Sequence, residues 1–342
     1  MAHILYLQGG YQGVLRMLEK VYFALAFFLI VAMSGPIKTN ASCTARLLIK
    51  KIYRVTTKAI RAYAFDIDDN ILNMPTKIML FNKVTGVQVG ISTAKFAEVR
   101  STIGKSGDYK DFELRRDIKT GSHRFFGDEM DPTQNNFLKD LKLAIETMPP
   151  EKWQGPAWAA FVRALSDPVT AAQSTFITAR SNSPQAIYEG LRYLQELGFI
   201  KNLPRIENIF PVGYPKFSPR FKGFSQGGVS ASSASAMKTE VMKQLLDEIE
   251  SSPIEPDAPL LMNQDGLGSD RLHTWGFSDD DPGNFKNAVE ILRVEFAKGR
   301  WPHVKITIFY TGRNSSEPLH EVVIMNDGNL RPRKGKELFF SQ

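Results

Sequence analysis

Two carboxylates one residue apart, Asp66 and Asp68, stand just past a hydrophobic stretch in Phe65-Asp66-Ile67-Asp68-Asp69-Asn70. If a strand ends near Asp66, both acids turn into the cleft beyond it. One such carboxylate can attack an electrophilic phosphorus while the other holds and transfers a proton, and together they can bind a hard cation. Alone, the hexapeptide reads equally well as a solvated Asp-rich turn. Three later stretches bear on the choice. Phe176-Ile177-Thr178-Ala179-Arg180 sets a hydroxyl and a guanidinium at the end of a second hydrophobic run, where a hydroxyl and backbone N–H groups can hold a phosphoryl oxygen. Lys238 falls at the expected start of an amphipathic helix, where the helix dipole disfavours a cation and a bound anion would explain it. Ser278-Asp279-Asp280-Asp281 follows a further hydrophobic run and supplies more carboxylates for a metal ion. Each has a plain structural reading too: a Thr cap, a surface lysine, an acidic helix cap. Their order is the stronger signal, because each sits beside the end of a strand or the start of a helix.

The elements that position these residues alternate. Residues 61–67 read as a buried strand, and 78–92 as a hairpin around Thr85-Gly86. Residues 112–126 repeat the hairpin pattern around Thr120-Gly121, and 136–147 and 157–165 have helical periodicity. A strand at Thr175–Thr178 leads through Ser183-Pro184 into a helix over 185–197 that Gly198 ends. The Gly/Ser-rich stretch 225–236 reads as a loop, and the helix from Lys238 runs to about Ile249. Then come a strand at 271–277, a helix over 284–298, and strands at 303–310 and 321–325. Alternation of this kind implies an α/β fold with a mainly parallel, Rossmann-like sheet covered on both faces. Ligands of such sheets bind at the carboxyl ends of the strands, where the acids fall. Residues 70–174 break the alternation and read as an inserted region within a core of 42–69 and 175–342.

A chain that is 43% hydrophobic and 23% charged can bury a sizeable core and is globular over most of its length. Its net charge of +7 favours anionic partners such as phosphate esters, nucleic acid or an anionic membrane. The cations are scattered apart from short clusters such as Arg331-Pro332-Arg333-Lys334, and no nucleic-acid-binding motif accompanies them. The single cysteine, Cys43, excludes an intramolecular disulfide and a cysteine-based zinc site. The five histidines show no metal-ligand spacing.

Residues 21–33 form an uncharged apolar run of 13 residues, about 20 Å as a helix and short of the roughly 30 Å hydrocarbon core. That length suits a signal peptide over 1–41, with cleavage after Ala41 and export to a periplasm or the exterior. Ala41-Ser42-Cys43 also allows a lipoprotein cleavage site. An uncleaved membrane anchor or a buried helix in a cytoplasmic protein are the alternatives.

Asp-x-Asp, then Thr, then Lys, then an acidic cluster resembles the four motifs of the haloacid-dehalogenase (HAD) superfamily, over residues 60 to about 310. The resemblance implies that Asp66 is a nucleophile forming an aspartyl-phosphate and Asp68 its general acid and base. Thr178 and Lys238, with Arg180 beside them, would hold the phosphoryl oxygens. Mg²⁺ would be bound by Asp66, the Asp68 carbonyl and Asp279, with Asp280 alongside; which of Asp279, Asp280 and Asp281 is the ligand stays open. It further implies hydrolysis of a small phosphomonoester, with the insertion as a cap. The sequence departs from the family in Asn70, where Thr or Val is usual, and in Phe277, where many members carry Asp. Those departures favour a rival reading as a non-catalytic binding protein of the same fold, and the net charge a third, as a nucleic-acid end-processing phosphatase.

Overall fold

The computed structural model describes residues 60–334, apart from 118, 129–133, 218–219, 221–233, 253–272, 313–319 and 325–327. The expected signal segment lies outside the described residues, as does the loop over 225–233.

The frame is a seven-stranded sheet made by β1 (Arg61–Phe65), β5 (Thr175–Thr178), β6 (Ile209–Pro211), β7 (His273–Asp279), β8 (Val304–Tyr310), β9 (His320–Ile324) and β10 (Leu330–Lys334). Its order is β10-β9-β8-β7-β1-β5-β6. The five strands from β6 to β8 run parallel, and β9 and β10 close one side antiparallel. The chain therefore starts in the middle of the sheet, works outward on one side through β5 and β6, then returns to β7 on the other. That reversal leaves a crevice between β1 and β7 at their carboxyl ends, the position where open α/β sheets hold ligands.

Both faces of the sheet are buried, as parallel strands require. On one face Ala62, Ala64, Ile177, Trp275, Phe277 and Ile306 pack beneath the helices Ala234–Glu250 and Pro282–Ala297. On the other, Phe65, Phe176 and Ile209 pack with Phe137, Phe161 and Leu191 of the helices Asn136–Thr147, Trp158–Ala164 and Pro184–Glu196. Phe277 is wholly buried and lies parallel to the Trp275 ring. None of the described helices is long and apolar enough to cross a membrane.

The stretch 70–174 divides into two parts. Residues 77–126 build a small sheet of β2 (Lys77–Asn82), β3 (Gln88–Ser92) and β4 (Phe112–Glu113), in the order β3-β2-β4, with the helix Thr93–Val99. Ile78, Leu80, Ile91 and Phe126 form its separate apolar cluster. Residues 136–173 instead supply helices that share the main core with β1 and β5.

Several local expectations need correcting. The second hairpin, over 112–126, does not form. Asp117 accepts N–H groups from Lys119 and Thr120 and the Thr120 hydroxyl, so the side chain competes with a ladder and only two residues join β2. The helix expected to open at Lys238 already includes Ala234, which puts the lysine in its second turn. Leu330–Lys334, read in sequence as a basic cluster, is a strand. Its Pro332 is tolerated because the strand is at the sheet edge.

Candidate active site

Asp66 follows the last residue of the central strand. Its N–H donates to the Ser278 carbonyl at 3.0 Å, which ties it to the end of β7. The next residues turn sharply: Ile71 and Leu72 both donate to the Ile67 carbonyl, and Asp69 adopts a positive φ of 56°. Asp68 is thereby carried past the strand end while staying close to it.

Asn70 is wholly buried and fastens three segments. Its Nδ2 donates to the Asp66 carbonyl (2.9 Å) and to Ser278, and its Oδ1 accepts the Thr311 hydroxyl at 2.9 Å. The turn also packs against Gly155, where a Cβ would come within 2.4 Å of the Asn70 carbonyl, so only glycine fits.

Three acids and one lysine meet in the crevice. Lys238 is 2% exposed, and its Nζ lies 2.7 Å from Asp66 Oδ1 and 2.8 Å from Asp279 Oδ2. Asp66, Asp279 and Asp280 are all buried, each with a carboxylate oxygen within 4.8 Å of the others. Asp279 is fully satisfied: besides Lys238 it accepts Asn284 Nδ2 and the Asp281 N–H. Asp66 is not. Among the described residues no donor reaches its Oδ2.

Burial is the main force on Asp66 and pushes its carboxyl up. Lys238 opposes that shift, but the Asp279 and Asp68 charges add to it, and the outcome is a value of about 8. Burial works against the Lys238 charge as well. There the two carboxylates prevail and hold it above the ordinary lysine value. With Asp66 ionised, its carboxylate and that of Asp279 share one ammonium in a poorly solvated place; the raised Asp66 value reflects that crowding, and a hard cation would relieve it.

Asp281, one of the three acids left open by the sequence, is otherwise employed. It caps the helix Pro282–Ala297 by accepting the N–H groups of Gly283 and Asn284, and pairs with Arg100 at 2.6 Å. Burial alone would raise its pKa, but Arg100 and the two N–H groups bring it below the ordinary aspartate value.

Asp68 and Arg180 form a second cluster. The guanidinium is 1% exposed, reaches both Asp68 oxygens through Nε at 3.1 and 2.9 Å, and adds Nη2 at 2.8 Å. It also donates to Asn182 and Thr76 and lies over the rings of Phe126 and Phe137. Arg180 is thus engaged by Asp68, not by the Asp66 crevice. Thr178, wholly buried at the end of the neighbouring β5, accepts the Arg180 N–H.

The sequence assigned no role to Asn284, Ser278, Thr76 or Arg100. Asn284 follows Asp281 closely enough for an N-cap pattern to point to it; the rest depend on contacts distant in sequence. A cavity of about 220 Å³, walled by Ala62, Thr175, Leu245 and Trp275, includes none of the acids. Comparison with protein-family models, with curated proteins and with solved structures finds no match.

Proposed function

We propose that the chain hydrolyses phosphomonoesters with Mg²⁺, using Asp66 as nucleophile. The observation that carries the reading is the Asp66 carboxylate itself: one oxygen is held by Lys238, the other has no donor among the described residues, and Asp279 and Asp280 stand beside it. Oδ2 attacks phosphorus in line, the ester oxygen departs, and an aspartyl-phosphate remains on Asp66. Asp68, held by the Arg180 fork, gives the leaving oxygen a proton and then takes one from the water that splits the acyl phosphate. Arg180 acts as a positioning residue, because its donors are committed to Asp68, Asn182 and Thr76. Lys238 holds a phosphoryl oxygen, with the Thr178 hydroxyl on the adjacent strand.

The three clustered carboxylates are the hard-oxygen donors that Mg²⁺ prefers, so Asp66, Asp279 and Asp280 would hold it, with Asp68 contributing its carbonyl. When bound, the ion would offset the charge that otherwise sets nucleophile and phosphate against each other. Export of the mature chain from about Ser42 accompanies this reading as a separate proposal, to be checked by N-terminal sequencing.

Turnover of an aryl phosphate tests the function. Wild type should release phenolate with Mg²⁺ and stop in EDTA. Asp66→Asn, which keeps size but removes the attacking charge, should lose at least about a thousandfold, or ~4 kcal/mol of barrier. A variant that retains a tenth of wild-type turnover removes Asp66 from the mechanism.

A further inference from the structure

The small sheet of residues 77–126 carries more positive charge than its own fold uses. Ten lysines and arginines stand there against five acids. Residues 60–342 contain 35 of each sign, so the remainder of that span is net negative. Lys95 and Arg115 are paired within the sheet, and Arg100 reaches Asp281. Lys77, Lys83, Lys105, Lys110, Arg116 and Lys119 are exposed and make no ion pair among the described residues.

Beside these cations the β2–β3 hairpin turns apolar side chains into water. Val84 is 78% exposed and Val87 56%. The turn does not require either. Asn82 accepts the N–H groups of Val84 and Thr85, the Thr85 hydroxyl accepts that of Val87, and Gly86 takes the positive φ of 72°. A polar residue at 84 or 87 would leave every one of those bonds in place. Val89, also exposed, continues the apolar row along β3, which is an edge strand. Because the Lys83 N–H donates to the Asp111 carbonyl, Lys110 lies at the same end of the sheet as the two valines.

A nucleic acid would use the cations and leave the valines in water. The headgroup region of an anionic bilayer uses both, attracting the lysines to its surface while the apolar tip enters the interface. We propose that the hairpin tip Lys83–Val87, together with Lys110, is a docking surface for an anionic membrane. This contact lies outside the N-terminal segment and stands whether or not Asp66 is a nucleophile.

The test is made on the full chain with a reporter at the tip, which reads that site whatever the rest of the chain does at a bilayer. Val84→Cys in a Cys43→Ser background is labelled with an environment-sensitive dye. It is titrated with vesicles of phosphatidylcholine alone or with a third phosphatidylserine. The dye emission should shift to the blue with the anionic vesicles and not with the neutral ones. Each lysine near such a surface is worth about fivefold in affinity. Adding Lys83→Glu and Lys110→Glu should therefore weaken the titration at least about twentyfold, and raised salt should weaken it as well. An unmoved dye, or the same shift with neutral vesicles, overturns the proposal. So does a shift produced by a single-stranded oligonucleotide or by raised protein concentration without vesicles, since nucleic acid or a second copy would then be the partner.

Discussion

The crevice between β1 and β7 and the small sheet of residues 77–126 handle charge in opposite ways. Lys238 in the crevice and Arg180 in the cluster beside it are almost wholly buried, and each is matched to carboxylates by position and hydrogen bond. On the small sheet, six cations face water without ionic partners among the described residues. A buried charge is stable only where its partners are built around it, since removing one partner strands the other in a poor solvent. An exposed charge has water and can be exchanged at little cost. The lesson is that the crevice was shaped around its charges, whereas the small sheet displays them.

Removing one charge from each region puts the contrast to its hardest trial. Lys238→Ala should destabilise the metal-free chain by about 3–5 kcal/mol, since the buried Asp279 loses its counter-charge. Lys83→Ala should stay within about 0.5 kcal/mol of wild type. Urea denaturation of the two variants in EDTA gives both numbers, and similar losses would erase the distinction.

A second trial uses protons. The folded chain holds a proton on Asp66 up to about pH 8, whereas an unfolded aspartate releases it near 3.8. Between those values the folded state binds more protons, so unfolding free energy should fall as pH rises. The stabilisation is complete below the unfolded value and lost as pH passes about 8. Urea melts in EDTA at pH 5 and pH 8 should show the drop, and Asp66→Asn should flatten it.

Arg180→Lys makes the smallest change. A lysine keeps the charge but not the fork that spans both Asp68 oxygens. Aryl-phosphate turnover should fall about 10–100-fold, the usual effect of loosening a supporting contact. The loss should fall on kcat with KM nearly unchanged, and urea stability should stay close to wild type, which a purely structural role for Arg180 would not allow. A loss confined to KM leaves Asp68 without the role assigned to it.

Much of the frame was legible in the sequence because it rests on local pattern. The strand before Asp66, the Thr175–Thr178 strand and the helix that Gly198 ends all follow from hydrophobic period and punctuation, and Gly198 has the positive φ of 78° that suits such an end. The convergence of Asp66, Lys238 and Asp279 was legible only through their order along alternating elements. What escaped was set by distant contacts. The Asn70 bond to Thr311 spans 241 positions, and the Arg180 bonds to Asp68 span 112. No local pattern foretells that a guanidinium will be used by a carboxylate instead of a phosphate. Asp117 escaped for another reason, since its side chain overrode a strand pattern that was present.

The proposed chemistry passes through a covalent intermediate at one residue, and that can be looked for directly. Wild-type enzyme mixed with aryl phosphate and Mg²⁺ is quenched in acid within a turnover, digested and analysed by mass spectrometry. The prediction is a phosphoryl adduct on the peptide containing Asp66, removed by hydroxylamine and missing from Asp66→Asn. Steady release of phosphate from wild type with no adduct at Asp66, or with the adduct on another residue, would contradict it.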